Sequence, residues 1–485
     1  MDQLKRLESG IGGFDDVLKG GLVSGASYII QGRPGSGKTI LASQLGFHHV
    51  QQGGRVLFAT LLAEPHDRLF HFLSTLSFFD RGPVGQSIQF ISAFDTLEND
   101  GLDEVVKLLR REISRQKSSL LILDGLLNAR SRADSPLDTK QFISELQGHA
   151  AFAGCTVLFL TSSQLEDGSP EHTMVDGVIE MGEDMLGSRT VRRIRMRKTR
   201  GSGAIPGAHE YEIDERGISI YPRLESTIPR NSAIPELPYA TLSSGIHGLD
   251  GHIGGGLVVS SVTLIMGPSG AGKTSLGIHF LSGCSAQEPG LYFGFHESPQ
   301  RARTKARSLG KDFAALEAVG ALSIAWTSAS AGLIDRICYD LLERVEQQRI
   351  KRVFIDSLNA LSRTSADQRR VLDVLETLLG ELRARGVTVM AAWEAQRLFD
   401  VHVSARVAAP EVAAPEVAAV VDNLLLVQFV QHRTELQRQV SILKIRDNAY
   451  DPSPLEVVMS NAGITMKRSE ICDVQCGDGQ DTRLT

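Results

Sequence analysis

The sequence predicts an α/β protein made of two tandem copies of one domain, each a mostly parallel sheet with helices on both faces. Three observations carry this reading. An eight-residue glycine loop occurs twice, 235 residues apart, as Gly32-Arg-Pro-Gly-Ser-Gly37-Lys38-Thr39 and Gly267-Pro-Ser-Gly-Ala-Gly272-Lys273-Thr274. The surrounding sequence repeats in register, with Gly10-Ile11-Gly12-Gly13-Phe14-Asp15 answered by Gly245-Ile246-His247-Gly248-Leu249-Asp250, and Gly20-Gly21-Leu22 by Gly255-Gly256-Leu257. Within each copy, apolar runs of strand length alternate with amphipathic stretches such as Leu102–Gln116 and Gln368–Arg385. That alternation is the pattern of a parallel sheet covered on both sides.

The repeat sets the domain plan. The first domain is expected over residues 4–222 and the second over 239–466. Between them, the stretch from Pro222 to Pro238 carries four prolines and little periodicity, so residues 223–238 read as a linker. Residues 467–485 form a polar tail. The run Val407–Ala419, with two Pro-Glu steps among alanines, reads as a solvated loop inside the second domain.

Each glycine loop follows an apolar strand, Ser27–Gln31 or Val262–Met266, and precedes a helix-like run, Leu41–His49 or Ser275–Leu281. Strand, glycine loop and helix together make a phosphate cradle. Backbone N–H groups curl around a triphosphate that sits on the positive end of a helix. The expected nucleotide contacts are Gly35, Ser36, Gly37, Lys38, Thr39 and Ile40 in the first domain, and Gly270, Ala271, Gly272, Lys273, Thr274 and Ser275 in the second. The lysines reach the terminal phosphates, and the hydroxyls of Thr39 and Thr274 hold Mg²⁺.

Such a loop needs an acid at the end of a neighbouring buried strand, to position the metal and its waters. Leu120-Leu-Ile-Leu-Asp124 and Val353-Phe-Ile-Asp356 supply it, with the aspartates 86 and 83 residues after the loop lysines. Hydrolysis needs a further carboxylate to orient water. Glu297, in Phe293-Gly-Phe-His296-Glu297-Ser-Pro299, stands directly at a strand end. Its counterpart Glu64, before Pro65, comes two residues later relative to the loop lysine, so a cap at the helix beginning near Pro65 is its alternative role. Each domain closes with a basic pair, Lys198-Thr-Arg200 and Lys444-Ile-Arg446. Residues two apart in a strand share a face, so each pair can address one phosphate.

Composition narrows the class. Hydrophobic content of 42% and charged content of 22% are those of a globular chain. No apolar stretch reaches the roughly 18 residues of a membrane span, and the N-terminus lacks the apolar core of a signal peptide. Five scattered cysteines form no disulfide framework. Cys472 and Cys476, in the tail, read as free thiols. A reduced, cytoplasmic protein is expected. A formal charge of −6 argues against a nucleic-acid binder, since phosphate neutralisation needs a basic footprint. The one candidate is Val191–Arg200, a strand with a cationic face that suits either DNA or nucleotide phosphate.

These motifs, with Ser9-Gly-Ile-x-Gly-Phe-Asp15 and Ser244-Gly-Ile-x-Gly-Leu-Asp250, resemble the KaiC-like branch of the RecA-type ATPases over nearly the full chain. The resemblance implies tandem RecA-like P-loop NTPase domains that use ATP and Mg²⁺, in a homohexamer of two stacked rings with ATP between subunits. It also implies that Lys198, Arg200, Lys444 and Arg446 act on a neighbouring subunit's γ-phosphate. Departures matter equally. Clock members of that family carry adjacent glutamates where, counted back from Pro65 and Pro299, this chain has Leu62-Ala63 and His296-Glu297. Clock members place a phosphorylatable Ser-Thr pair where, counted back from Asp422, this chain has Ala418 and Ala419. Asp447 also replaces the glycine that usually follows the second Lys-x-Arg pair.

The leading functional expectation is a hexameric ATPase whose nucleotide state controls a protein partner, a signalling switch. A serine/threonine autokinase is the second, with Ser362, Thr364 and Ser365 as the hydroxyls near the second acid strand. A DNA-dependent recombinase or helicase is the third.

Overall fold

The computed structural model of the protein describes residues 4–63, 65–133, 135–162, 169–227, 239–328, 332–365, 367–395, 414–432 and 435–469. The chain divides into two compact units, the first ending at Thr227.

The main sheet of the first unit has nine strands: β1 (Ser27–Gly32), β2 (Val56–Thr60), β3 (Ile88–Ser92), β4 (Leu120–Asp124), β5 (Thr156–Thr161), β6 (Gly177–Leu186), β7 (Arg189–Thr199), β8 (Ala208–Asp214) and β9 (Gly217–Tyr221). They lie in the order β3-β2-β4-β5-β1-β6-β7-β8-β9. Strands β1 to β6 pair in parallel, and β7 to β9 continue the sheet as an antiparallel meander. Five helices matter for the site: α1 (Lys38–Gln51), α2 (His66–Leu73), α3 (Leu102–Gln116), α4 (Pro136–Phe152) and α5 (Pro170–Met174).

Alternation along the central strands sends side chains to both faces. Tyr28, Ile30, Phe58, Ile122 and Leu158 pack with Leu41, Ala42 and Leu45 of α1. Ile29, Leu57, Ala59, Leu121 and Phe159 pack on the opposite face with Val105 and Leu109 of α3 and Ile143 and Leu146 of α4. Each fully buried aliphatic side chain contributes about 1.5–3 kcal/mol, which fixes the register of the strands that end at the glycine loop.

The second unit repeats the plan with β10 (Val262–Gly267), β11 (Gly290–Gly294), β12 (Leu322–Trp326), β13 (Arg352–Asp356), β14 (Thr388–Glu394), β15 (Asn423–His432), β16 (Glu435–Lys444), β17 (Leu455–Ser460) and β18 (Gly463–Arg468). Their order, β12-β11-β13-β14-β10-β15-β16-β17-β18, is the same permutation. The matching helices are α6 (Lys273–Ser282), α7 (Pro299–Ser308), α8 (Ile334–Gln347), α9 (Gln368–Ala384) and α10 (Ala414–Val420).

The repeated Ser-Gly-Ile motifs latch each unit shut. The Ser9 and Gly10 amides donate to the Asp15 carboxylate, and Ser244 N donates to Asp250. The turn so formed takes the last strand, with Ile220 N donating to Gly12 O at 2.9 Å and Met466 N to His247 O at 2.8 Å.

Two expectations need correction. The helices after the loops begin at Lys38 and Lys273 themselves, because a left-handed glycine, Gly37 (φ 92°) or Gly272 (φ 109°), turns the chain directly into the first helical residue. The alanine-rich insert is also not wholly loop. Its second half forms α10, with Val417 fully buried. Pro415 lies in the first turn, where its missing N–H costs nothing. Residues 396–413, which hold the rest of the insert, and the tail cysteines Cys472 and Cys476 lie outside the described residues.

Candidate functional site

In each unit the buried strand at the centre of the sheet ends on the first glycine of the loop. Lys38 Nζ folds back to donate to Gly32 O at 2.9 Å and Arg33 O at 3.0 Å. Lys273 Nζ does the same to Gly267 O at 2.8 Å and Pro268 O at 2.7 Å. Both lysines are buried, and burial lowers both pKa values, opposed by Asp124 in one case and by Glu394 and Asp356 in the other. A desolvated ammonium resting on carbonyls gains by moving to a phosphate. Neither α1 nor α6 has a side-chain cap or an acid in its first turn. The first-turn residues Thr39 and Ile40, and Thr274 and Ser275, thus present backbone amides to an anion. The remaining loop positions, Gly35 and Ser36, and Gly270 and Ala271, precede the helix. Space around a Cβ at Gly35 or Gly270 is open. Ser36 Oγ is buried without a partner among the described residues, while its carbonyl accepts from Tyr211 OH at 2.6 Å.

The acidic strand runs beside the loop. Thr39 Oγ1 donates to Asp124 Oδ2 at 3.0 Å, so the loop hydroxyl and the strand-end carboxylate already face one another. In the second unit Asp356 instead accepts from Tyr292 OH at 2.8 Å, and among the described residues Thr274 makes no side-chain hydrogen bond. The two sites are otherwise in matching register, with Thr60 opposite Asp124 and Gly294 opposite Asp356.

Glu297 lies three residues beyond Gly294. Lys305 Nζ stands 3.4 Å from its Oε1, while Oε2 is buried with no partner among the described residues. Three residues beyond Thr60 is Ala63. The strand register therefore gives Glu64 the chain position of Ser298, whose Oγ caps α7 by accepting from Arg301 N. Glu64 itself lies outside the described residues.

The basic pairs are placed alike in both units. Lys198 Nζ donates to His172 O at 2.8 Å and Val175 O at 2.7 Å, at the end of α5. Lys444 Nζ donates to Ala418 O at 2.9 Å and Val421 O at 2.7 Å, at the end of α10. A cation at a helix C-terminus answers the free carbonyls there. The two members of each pair turn to the same helix end, with Arg200 at 3.5 Å from Thr173 O and Arg446 at 3.3 Å from Ala419 O. Arg200 and Arg446 lie past the ends of β7 and β16, with half or more of each side chain exposed, and are steered by Asp176 at 3.8 Å and Asp422 at 3.6 Å.

The arginine-rich run is strand β7. Its cations are matched across the pair by the acids of β6, with Arg197 on Glu180 at 2.6 Å, Arg193 on Asp184 at 3.1 Å and Arg192 on Glu183 at 3.4 Å. The run is thus largely paired, with Arg195 left exposed and without an ion pair among the described residues. Arg193, Arg195 and Arg197 with Glu180, Glu183 and Asp184 line a cavity of about 280 Å³ that also touches Arg33 and Ser36 of the loop.

The residues present fit a magnesium nucleotide. Ser36 offers an orphaned buried hydroxyl, and Thr39 and Asp124 are already paired. Among the described residues no group of three His, Cys, Asp or Glu side chains forms a metal cage. That suits Mg²⁺, which takes few protein ligands and shares the substrate's phosphates.

Comparison with known proteins decides the lineage. The KaiC ATPase family profile matches residues 7–225 and again 242–471, once per unit. The chain belongs to the KaiC ATPase family. It is 25% identical to the circadian clock oscillator protein KaiC of Rippkaea orientalis over 504 aligned positions, covering 99% of this chain and 92% of the relative. Circadian clock oscillator protein KaiC 1 of Synechocystis is 26% identical, covering 99% and 93%. The KaiC of Synechococcus elongatus is 24% identical, covering 99% and 93%. This KaiC-family chain is thus a double-domain, RecA-type ATP-binding protein. No helix among its described residues is long and apolar enough to cross a membrane.

Two contacts of the second site escape a motif search, Tyr292 on Asp356 and Lys305 on Glu297. The signal for the first was available, since a tyrosine in the apolar strand Gly290–Gly294 must find a partner for its hydroxyl.

Proposed function

We propose that this KaiC-family protein binds and hydrolyses ATP in both domains, assembles as a homohexamer in the cytoplasm, and works as a nucleotide-dependent switch on a regulatory protein partner. The observation that carries the catalytic part is Glu297, a carboxylate with one oxygen at Lys305 and the other buried without a partner among the described residues, just past the strand next to Asp356. An oxygen so placed can accept a proton from an attacking water.

The roles follow from chemistry. Lys38 and Lys273 leave their loop carbonyls for the terminal phosphates. Amides from Gly35 to Ile40 and from Gly270 to Ser275 hold the phosphate oxygens. Thr39 with Asp124, and Thr274 with Asp356, hold the metal and its waters. Mg²⁺, when bound, neutralises charge developing on the phosphate oxygens. Glu297 orients water in domain two, and Glu64 is its weaker counterpart in domain one. Arg200 and Arg446, exposed and held by helix-end contacts, act on a neighbouring subunit's phosphate with Lys198 and Lys444. A site shared between subunits couples nucleotide state to packing, which is what a switch requires.

The autokinase reading has less support. Positions 418 and 419 are alanine, and their carbonyls receive Lys444 and Arg446. Ser362 Oγ donates to Asn359 O at 2.7 Å, and Thr364 and Ser365 are buried. The nucleic-acid reading is weakened by the acid pairing of β7.

One incubation with γ-labelled ATP separates these readings. Free phosphate without protein-bound label is expected. Stable label on the protein would favour the kinase, and turnover that rises with DNA and falls steeply with salt would favour the motor.

A further inference from the structure

The two KaiC-type sites differ in what holds the strand-end aspartate. In domain one the loop hydroxyl of Thr39 holds Asp124. In domain two Tyr292 OH holds Asp356 Oδ2 at 2.8 Å. Strand register explains how. Tyr292 on β11 lies opposite Phe354 on β13, so its ring shares a face with Asp356 two residues on. Its ring, 1% exposed, meets Phe354 edge-on with centroids 5.5 Å apart. Room for the ring comes from Gly294, where a Cβ would stand 2.8 Å from Tyr292 Cε1. In domain one the same two register positions are Phe58 and Thr60, without the phenol and without the glycine.

We infer that Tyr292 is a positioning residue peculiar to domain two: it fixes the Asp356 carboxylate in place and leaves Thr274 free, so that the domain-two site is prearranged for the metal of a magnesium nucleotide. The inference rests on the reading of Thr274 and Asp356 as the metal side of that site. The phenol is the donor in this contact, since an ionised carboxylate only accepts. A carboxylate that serves a metal is itself set by hydrogen bonds, and losing such a partner weakens metal affinity. Asp124, engaged by the loop threonine, has no equivalent phenol at the Phe58 position.

The test is ADP binding by calorimetry to the full chain carrying Lys38→Ala, so that domain two alone reports, in magnesium and in EDTA. Tyr292→Phe is expected to lose about tenfold of the magnesium-supported gain in affinity while binding in EDTA stays nearly unchanged. Equal gains with and without the Tyr292→Phe substitution would overturn the inference, as would a loss of the same size in EDTA, which marks a purely structural role. If Lys273→Ala on this background still bound magnesium nucleotide, the site reading would fall together with the inference. Should Tyr292→Phe fail to fold, the converse decides. Phe58→Tyr with Thr60→Gly, on a Lys273→Ala background, is expected to raise the magnesium-supported gain of domain one, and no rise overturns the inference.

Discussion

Lys305 Nζ lies 3.4 Å from Glu297 Oε1, a contact that joins α7 to the strand end where hydrolysis is proposed. The lysine is one-third exposed and the glutamate one-quarter exposed, so neither charge is stranded in the interior. An ion pair of this exposure contributes about 0–1 kcal/mol. Its meaning is geometric. It engages one carboxylate oxygen and leaves the other buried and without a partner among the described residues.

Glu297→Gln keeps the shape and removes the proton acceptor. Domain-two hydrolysis is expected to fall about a hundredfold or more, with ADP binding and thermal stability nearly unchanged. Phosphate release on a Lys38→Ala background measures it. A loss of only a few fold would show that another group orients the water.

Lys38→Ala and Lys273→Ala are each expected to abolish nucleotide binding in their own domain only. Each ammonium rests on carbonyls of its own loop. Two binding events by calorimetry in the parent, and one in each variant, would bear this out. Loss of both events in one variant would mean that the sites are not independent.

Much of this architecture is legible without coordinates because the repeat states it twice. Leu102–Gln116 reads as a helix from its apolar spacing alone, and the strands entering each loop read as buried because they are apolar throughout. The α10 helix does not read that way, since Pro-Glu steps look like breakers until Pro415 is seen in a first turn. Lys198 and Lys444 are hidden for a different reason. A Lys-x-Arg strand gives no hint of the helix end that receives the lysine, which is a tertiary partner 23 or more residues away. The same is true of β7, three of whose arginines are paired with acids of β6.

Asp447 follows the second basic pair in a left-handed conformation (φ 63°), as Gly201 (φ 70°) does after the first. The two domains therefore share this backbone path, and the aspartate bears the steric cost. Asp447→Gly is expected to stabilise domain two by up to about 1 kcal/mol, the strain relieved being partly offset by a freer unfolded chain. Both tryptophans, Trp326 and Trp393, lie in the second unit, so urea unfolding followed by tryptophan fluorescence reads that domain alone. A lowered midpoint would show that the unfolded-chain term dominates.

At the position that Gln44 holds in domain one, His279 gives domain two a dependence on acid. Both side chains accept an amide of the last hairpin, Ile464 N on His279 Nε2 at 2.9 Å and Ile218 N on Gln44 Oε1 at 2.8 Å. Accepting at Nε2 requires the neutral ring, with its other nitrogen turned to Gly245 O at 3.3 Å. Burial, with Lys311 adding to it and the Gly245 contact opposing, lowers the pKa of His279 from its ordinary 6.5. The unfolded chain therefore takes up the proton first as pH falls. His279 contributes its full stability above about pH 6.5, and that contribution declines as pH drops from there toward the lowered folded value. Tryptophan-detected urea midpoints should thus fall on acidification in the parent. His279→Gln, which keeps an acceptor and removes the titration, should reduce this slope while preserving the midpoint at neutral pH. An unchanged slope would assign the acid sensitivity of domain two to other groups.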